Sequence, residues 1–247
     1  MNLTIDIGNT NLMICSFNGE KIYSYKRIPI RSFYEKDIPK IFKVINKKKD
    51  NIIISSVVPS FEIKFTRFLR KQNFDYFLVK DLVAEINLKT NINNKKEIGD
   101  DRIINMFYAK ELFKKSIIVV DFGTATTFDV LDKEGIYDGG VITPGIDLSL
   151  KALKDNTAKL PLVNFKKTKK VIGHNTQQAI KSGFFWGYVS MVEGLINKIE
   201  MEKKNKFCMI LTGGNSLYFK NIFKNTLLVD EFFTSKALNH TLNRKNK

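Results

Sequence analysis

The sequence contains an internal repeat. An apolar run near the start of the chain ends in Asp6-Ile7-Gly8-Asn9-Thr10, and a second run at 116–120 is followed by Asp121-Phe122-Gly123-Thr124. The two aspartates are 115 residues apart in a chain of 247 residues. Each copy is followed by another apolar run, a turn that contains glycine, and a third run. The repeat therefore predicts two similar halves, each beginning with strands joined by a tight D-x-G turn.

The rest of the pattern alternates strands with helices. In the first half, apolar runs predict strands at 3–8, 12–17, 22–28 and 52–55, and helical spacing predicts helices at 34–45 and 61–69. A further helix is predicted to begin near Asp101, after a polar stretch. This order is typical of an α/β fold, and the position of the repeat places one half at 1–115 and the other at 116–247.

The D-x-G turns have the chemistry of a phosphate-binding site. Glycine lets the backbone approach a ligand closely, and the N–H groups and threonine hydroxyls that follow can donate hydrogen bonds to phosphate oxygens. The aspartate can hold a cation or its bound water. A single D-x-G turn is more often structural, but two copies at equivalent places of a duplicated chain favour the functional interpretation.

Composition and charge argue against several other classes of protein. The apolar stretches are far shorter than the roughly 20 residues that span a bilayer, and the N-terminus lacks a secretory leader, so we expect a cytoplasmic protein without a membrane segment. Cys15 and Cys208 lie in separate apolar runs and are expected to be reduced core thiols. The formal net charge is +16. The lysines lie in short groups at turns rather than in a basic stripe, which disfavours nucleic acid as a partner.

Over nearly its whole length the sequence resembles the type III pantothenate kinases, within the acetate and sugar kinase/Hsp70/actin superfamily. The matching segments follow the family's order and include Asp6-Ile7-Gly8-Asn9-Thr10-Asn11, Gly99-Asp100-Asp101-Arg102, Asp121-Phe122-Gly123-Thr124, Ile172-Gly173-His174-Asn175-Thr176 and Thr212-Gly213-Gly214. The resemblance implies duplicated ribonuclease H-like halves of the actin-like ATPase kind, with mixed five-stranded sheets flanked by helices. It also implies ATP-dependent phosphorylation of pantothenate to 4'-phosphopantothenate, the first step of coenzyme A biosynthesis.

The resemblance further implies roles for individual residues. ATP, with Mg²⁺, would bind at Asp6, Ile7, Gly8, Asn9, Thr10, Asn11, Leu12, Met13 and Thr124. Asp121 would be the ligand of a monovalent cation, potassium or ammonium. Gly99, Asp100, Asp101 and Arg102 would form the substrate loop, with Asp101 as the general base. Thr176 would contact pantothenate across the interface of a homodimer.

The residue types in the loop agree with this assignment. Asp100 and Asp101 precede Arg102 at the predicted start of a helix, so one carboxylate can cap the helix while the other faces the substrate. Arg102 could form bidentate bonds with a carboxylate or a phosphoryl group.

An aromatic run on a second predicted helix favours an interface between subunits. The helix is predicted at 177–199, and the run comprises Phe184, Phe185, Trp186 and Tyr188. So large an aromatic group is expected to be hard to bury within one chain, and a two-fold dimer would cover it.

The sequence departs from the family pattern just ahead of the substrate loop. Relatives usually have Tyr-x-Asn-Pro there, whereas this chain has Ile92-Asn93-Asn94-Lys95. Two alternatives to a pantothenate kinase stay open. The first is a kinase of the same superfamily that acts on another small alcohol. The second is a non-catalytic, ATP-binding regulator, which would not need Asp101 as a base.

Overall fold

The described residues form two compact units. The computed structural model describes residues 1–32, Pro39 and 51–245, so the helix predicted at 34–45 lies outside the described residues apart from Pro39. One unit comprises Met1–Leu112 together with Phe232–Lys247, and the other comprises Phe113–Glu231. The predicted halves, 1–115 and 116–247, differ from these units because the C-terminal segment belongs to the first one.

The two sheets have the same topology. Their strands are β1 (Asn2–Ile7), β2 (Asn11–Asn18), β3 (Lys21–Pro29), β4 (Asn51–Ser56), β5 (Tyr76–Leu78), β6 (Ile117–Phe122), β7 (Ala125–Leu131), β8 (Tyr137–Pro144), β9 (Cys208–Thr212) and β10 (Thr226–Val229). The orders are β3-β2-β1-β4-β5 and β8-β7-β6-β9-β10. In each sheet the first three strands pair antiparallel with their neighbours in sequence. The fourth strand pairs in parallel with the first, and the fifth pairs in parallel with the fourth. The predicted duplication into mixed five-stranded sheets is therefore confirmed.

Helices flank the strands of both units. They are α1 (Pro59–Lys71), α2 (Val83–Ile86), α3 (Asp100–Leu112), α4 (Ile146–Asp155), α5 (Thr176–Lys203) and α6 (Phe233–Lys245), with short 3-10 segments at Ile30–Ser32, Val79–Leu82, Lys95–Glu97 and Ser216–Phe219. In the described part of the chain, no helix is long and apolar enough to cross a membrane.

Strand periodicity places both repeat aspartates on the face opposite a hydrophobic core. In β1, Ile5 and Ile7 are fully buried in a cluster with Phe65 and Leu69 of α1, so Asp6 points to the other face. In β6, Val120 and Phe122 lie in the core of the second unit, and Asp121 alternates with them in the same way. Each aspartate thus lies near the carboxyl end of its strand, away from the core beneath it.

The last helix, α6, returns to the first unit, which explains the difference from the predicted boundary. Asn2 on β1 donates hydrogen bonds through its side-chain nitrogen to Asn239 and Asn243 of α6, at 2.8 and 2.6 Å. Asn239 in turn donates to the carbonyl of Gly19 at 2.9 Å. Arg244 forms an ion pair with Glu111 of α3 at 2.7 Å. These contacts tie α6 to the first sheet and to α3.

The second unit itself buries two side chains of the aromatic run on α5 and partly buries the other two, which contradicts the expectation that the run would be hard to bury within one chain. Phe185 is 0% exposed and Tyr188 is 9% exposed, and Phe184 and Trp186 pack against the same core. The ring of Phe185 stacks on Phe219 with centroids 5.9 Å apart. The aromatic side chains are accommodated because α5 packs them into this core. The run therefore gives no support to a dimer.

Candidate active site

The first D-x-G turn joins β1 to β2. Its backbone is closed by a hydrogen bond from Gly8 N to Asn11 O at 3.0 Å. A side chain at position 8 would approach that carbonyl, since an added Cβ would lie 3.2 Å from it. Asp6 is paired in register with Ser55 of β4, whose hydroxyl donates a hydrogen bond to Asp6 Oδ1 at 2.9 Å. The nucleotide-binding positions predicted at 6–13 therefore form one continuous hairpin.

The predicted substrate loop begins α3. The carbonyl of Gly99 accepts hydrogen bonds from the N–H groups of Arg102 and Ile103, both at 3.1 Å. Asp101 Oδ1 accepts a hydrogen bond from Arg102 N at 2.8 Å. A Cβ at position 99 would lie 2.5 Å from that same oxygen, which is closer than real Cβ atoms come. Gly99 thus leaves the space that the carboxylate of Asp101 fills.

Asp100 faces a different neighbour from Asp101. It is 9% exposed, and its Oδ2 accepts a hydrogen bond from Ser56 N at the end of β4, at 3.4 Å. Asp101, which is partly exposed, is the carboxylate that binds an amide in the first turn of the helix. The structure thus connects the loop to the end of β4, beside the strand that carries Asp6.

The carboxylates of the first unit perturb one another. The pKa of Asp6 is raised to about 7. Burial is the largest cause, the charges of Asp101 and Asp100 add to the rise, and the hydrogen bond from Ser55 opposes it. Burial also raises the pKa of Asp100 to about 6, which the hydrogen bond from Ser56 N partly offsets. Asp6, Asp100 and Asp101 therefore form one electrostatically coupled cluster, which a bound cation would stabilise.

The donor set of this cluster fits Mg²⁺. Mg²⁺ in phosphoryl-transfer enzymes is commonly held by one or two carboxylates, with water and substrate phosphates completing its shell. Within the described residues, no group of three or more His, Cys, Asp or Glu side chains could hold a metal ion, so water and substrate phosphates would have to supply most of the ligands. Asp6, in the hairpin predicted to bind phosphate, would be the residue to hold a magnesium ion or its water.

An ion pair that the sequence did not reveal lies behind Asp100. Glu62 on α1 is paired with Lys80, and only 11% of the Glu62 side chain is exposed. The charge of Glu62 raises the pKa of Asp100, and the charge of Lys80 lowers it. The two residues are 18 positions apart, on separate elements, so no local pattern could have identified them.

The second D-x-G turn joins β6 to β7 and is enclosed by glycine backbone from two other loops. Gly145 N donates to Thr124 O at 3.0 Å, and a Cβ at position 145 would lie 2.3 Å from that oxygen. Gly213 has a φ of +87°, and a Cβ there would lie 2.3 Å from Asp121 Oδ1. The carboxylate of Asp121 therefore rests against the backbone of Gly213, at a position that only glycine fits.

Thr176, predicted to contact the substrate, lies in the second unit. It is the first residue of α5 and is exposed. Asn175 caps this helix by accepting a hydrogen bond from Gln178 N at 2.9 Å. Gly173 packs so tightly that an added Cβ would lie 2.3 Å from Ala179 N. The segment 173–176 is thus a structured entry to α5, and the contact of Thr176 with a substrate stays a prediction.

The segment that departs from the family pattern is ordered without the usual proline. Asn94 accepts a hydrogen bond from Lys96 N at 3.2 Å and donates one to Glu97 at 2.6 Å. Its backbone is extended, with φ of −114° and ψ of 96°, which lies near the β region that a residue before proline favours. Asn94 therefore supports the loop by hydrogen bonding.

The duplicated sheets, each with a D-x-G turn at the end of its first strand, define a protein with the fold of the actin-like kinases. A structure from Sinorhizobium meliloti, provisionally described as a 2-dehydro-3-deoxygalactonokinase, has this fold. It has a TM-score of 0.60 at 9% sequence identity, covering 99% of this chain and 96% of that chain. At this level of identity the similarity shows the fold alone.

Sequence comparison identifies the family. The profile of the type III pantothenate kinases matches residues 2–198. A type III pantothenate kinase from Persephonella marina is 40% identical over 248 residues, covering 94% of this chain and 93% of that protein. Another, from Pelagibacter ubique, is 38% identical over 240 residues, with 94% and 95% covered. The chain belongs to the type III pantothenate kinase family, as the resemblance implied. Membership of a kinase family implies that the chain uses ATP together with a divalent metal ion.

Proposed function

We propose that the chain transfers the γ-phosphoryl group of ATP to the primary hydroxyl of pantothenate, with Asp101 as the general base. Family membership supports the reaction. The observation that carries the residue assignment is the position of Asp101: its carboxylate fills the space above Gly99 and lies in the same charge cluster as Asp6.

The proposed reaction needs positioning, neutralisation of charge and one proton acceptor. The hydroxyl oxygen of pantothenate forms a bond with the γ-phosphorus, and the bond from that phosphorus to the β–γ bridging oxygen breaks, which releases ADP. The hydroxyl proton passes to the carboxylate of Asp101. Magnesium, when bound, would neutralise charge on the phosphate oxygens.

The residues around Asp101 hold it ready for this step. The N–H of Arg102 donates to Oδ1 of Asp101 and fixes the orientation of the carboxylate that would accept the proton. Asp100 is held by Ser56 N, which connects the loop to β4. The guanidinium of Arg102 is the candidate partner for the carboxylate of pantothenate, because it can form two parallel hydrogen bonds to such a group.

Replacing Asp101 with asparagine tests the assignment. The amide can still accept the Arg102 N–H bond and cap the helix, but it cannot take up a proton. We expect kcat to fall by about 10² to 10⁴, as is typical for loss of a general base, while ATP binding, measured by calorimetry, and the melting temperature change little. Activity within a few-fold of the parent would assign Asp101 to capping and remove it as the base.

A monovalent cation at Asp121 is a further part of the proposal. The Asp121 carboxylate lies at the second turn, against the backbone of Gly213, and can supply a charged oxygen ligand to such an ion. Activity should rise steeply when sodium is replaced by potassium or ammonium, and Asp121→Ala should abolish that response. Equal rates of the parent in the three salts would contradict the assignment.

We also propose a homodimer, located in the cytoplasm. The second unit exposes two apolar side chains close to Thr176, since Val171 is 65% and Ile172 is 76% exposed. An interface there would cover them. If Thr176 acts on the partner's substrate, Asp101→Asn chains mixed with Thr176→Ala chains should regain part of the activity that each lacks. A monomer in sedimentation, or verified mixed dimers without recovered activity, would contradict this proposal.

A further inference from the structure

Three oxygen-bearing side chains form a row across the second sheet. Asp121 on β6 is paired in register with Thr127 on β7 and with Thr212 on β9. Paired residues of neighbouring strands point to the same face of a sheet. Val120 and Phe122 of β6 point into the core of the second unit, so the row lies on the opposite face, at the turn where Asp121 meets Gly213.

The hydroxyl of Thr212 lacks a hydrogen-bond partner among the described residues. Thr212 is 1% exposed, and its Oγ1 is buried. Burying a hydroxyl without a partner costs free energy, so such a group in a native structure calls for an explanation, such as an ion that binds there. Thr127 differs, because its hydroxyl donates its proton to Asp129 Oδ2 at 3.1 Å and keeps its lone pairs for another contact.

The equivalent hydroxyl of the first unit has a partner. Ser55 occupies the register position next to Asp6 that Thr212 occupies next to Asp121. The Ser55 hydroxyl donates to its aspartate at 2.9 Å. Thr212 makes no such bond to Asp121. The duplicated position is therefore used differently in the two units, and the oxygen of Thr212 stays available beside a carboxylate.

We propose that the Thr212 hydroxyl is a ligand of the monovalent cation at Asp121. One carboxylate neutralises the charge of the ion, and neutral hydroxyl oxygens from Thr212 and Thr127 complete its contacts on this face. Potassium is bound by neutral oxygen ligands elsewhere in proteins, as by the backbone carbonyls of potassium channels, and a hydroxyl oxygen is also a neutral ligand. The inference rests on the proposed cation at Asp121 and extends it to the residues that would select the ion.

Melting temperatures measured at equal ionic strength in potassium and choline chloride test the inference without reference to activity. Thr212→Val keeps the shape of the side chain and removes the hydroxyl. In choline chloride this variant should melt at or above the temperature of the parent, because it removes a buried, unpartnered polar group. In a potassium titration, Thr212→Val should need a potassium concentration at least about tenfold higher than the parent needs to reach half of the maximal rise in melting temperature. This is the effect expected for loss of a polar contact to a charge.

Two variants serve as controls. Thr212→Ser keeps the hydroxyl and should respond to potassium within about threefold of the parent. Thr126→Val removes another buried hydroxyl that lacks a partner among the described residues, but Thr126 alternates with Thr127 and points to the core face. This variant should respond to potassium as the parent does. The pattern expected is thus a loss of response in Thr212→Val alone.

The other outcomes overturn the inference in distinguishable ways. If the parent and Asp121→Ala respond differently to potassium but Thr212→Val matches the parent, the cation stands and Thr212 is not its ligand. If Thr212→Ser loses as much response as Thr212→Val, the effect comes from packing and not from the hydroxyl. If potassium does not stabilise the parent relative to choline, the proposed cation site and the Thr212 ligand both fail, while the phosphorylation of pantothenate is untouched.

Discussion

Gly99→Ala tests whether the position of the Asp101 carboxylate controls the rate. The added Cβ would lie 2.5 Å from Asp101 Oδ1 and 3.3 Å from Val57 Cγ1. Ordinary contact begins near 3.4 Å, so the carboxylate must move by about 0.9 Å, which is the difference between the two distances. Displacement of a reacting group by about 1 Å can cost about 10²-fold in rate. Because the end of a flexible side chain moves rather than the backbone, we expect kcat to fall by about this factor while the fold survives.

A coupled assay of ADP release, with circular dichroism melting on the same samples, measures both effects. Gly194→Ala is the matched control, since nothing lies within 4 Å of the Cβ it adds to α5. That control should keep the parent's kcat and gain about 0.5–1 kcal/mol of stability from replacing glycine in a helix interior. A Gly99→Ala enzyme with kcat within threefold of the parent would refute the reasoning, because the rate would then not depend on where the carboxylate lies.

Three further predictions follow from the first unit. The raised pKa of Asp6, about 7 against an ordinary 3.8, means that the folded protein holds this proton more tightly than the unfolded chain does. The stability that this group contributes is therefore complete below about pH 4 and is lost as the pH rises through 7. The melting temperature of the ligand-free parent should fall between about pH 5 and pH 8, and in Asp6→Asn it should fall less. Glu62→Gln should lower and Lys80→Met should raise the pKa of Asp100, measured by carboxyl carbon NMR, because their charges act on it in opposite directions. Lys95→Pro should raise the free energy of unfolding by about 0.4–1 kcal/mol in denaturant titrations, because Lys95 is the first residue of a 3-10 segment and follows an extended residue.

Each of these predictions has an outcome that contradicts it. An unchanged pH dependence in Asp6→Asn would mean that Asp6 is ionised in the ligand-free protein. Shifts of the same sign in the Glu62 and Lys80 variants would indicate a change of shape rather than of charge. A less stable Lys95→Pro protein would show that the loop needs the N–H of Lys95 or a backbone angle that proline does not adopt.

The sequence was sufficient for the features that depend on neighbours in the chain. Strand alternation and turn glycines are local, so the duplicated hairpins around Asp6 and Asp121 and the start of α3 near Asp101 were predicted correctly. The family could also be predicted, since its motifs are short runs such as Gly99-Asp100-Asp101-Arg102 that match in order. The roles of the individual residues stay predictions, because a motif states which residue types are present and not what they touch.

Other features depend on contacts between distant parts of the chain. The aromatic run on α5 was assigned to an interface because its sequence does not show that Phe219 and the second sheet bury it. The ion pair of Glu62 and Lys80 and the coupling of Asp6 with Asp101 arise only when separate elements meet, and burial then raises a carboxylate pKa that the sequence alone would place near 3.8. The sequence by itself therefore determined the hairpins and the family. Only the tertiary structure decided that α6 returns to the first sheet, because that depends on hydrogen bonds between residues as far apart as Asn2 and Asn243. It also decided which charges act on one another, because that depends on desolvation where separate elements meet.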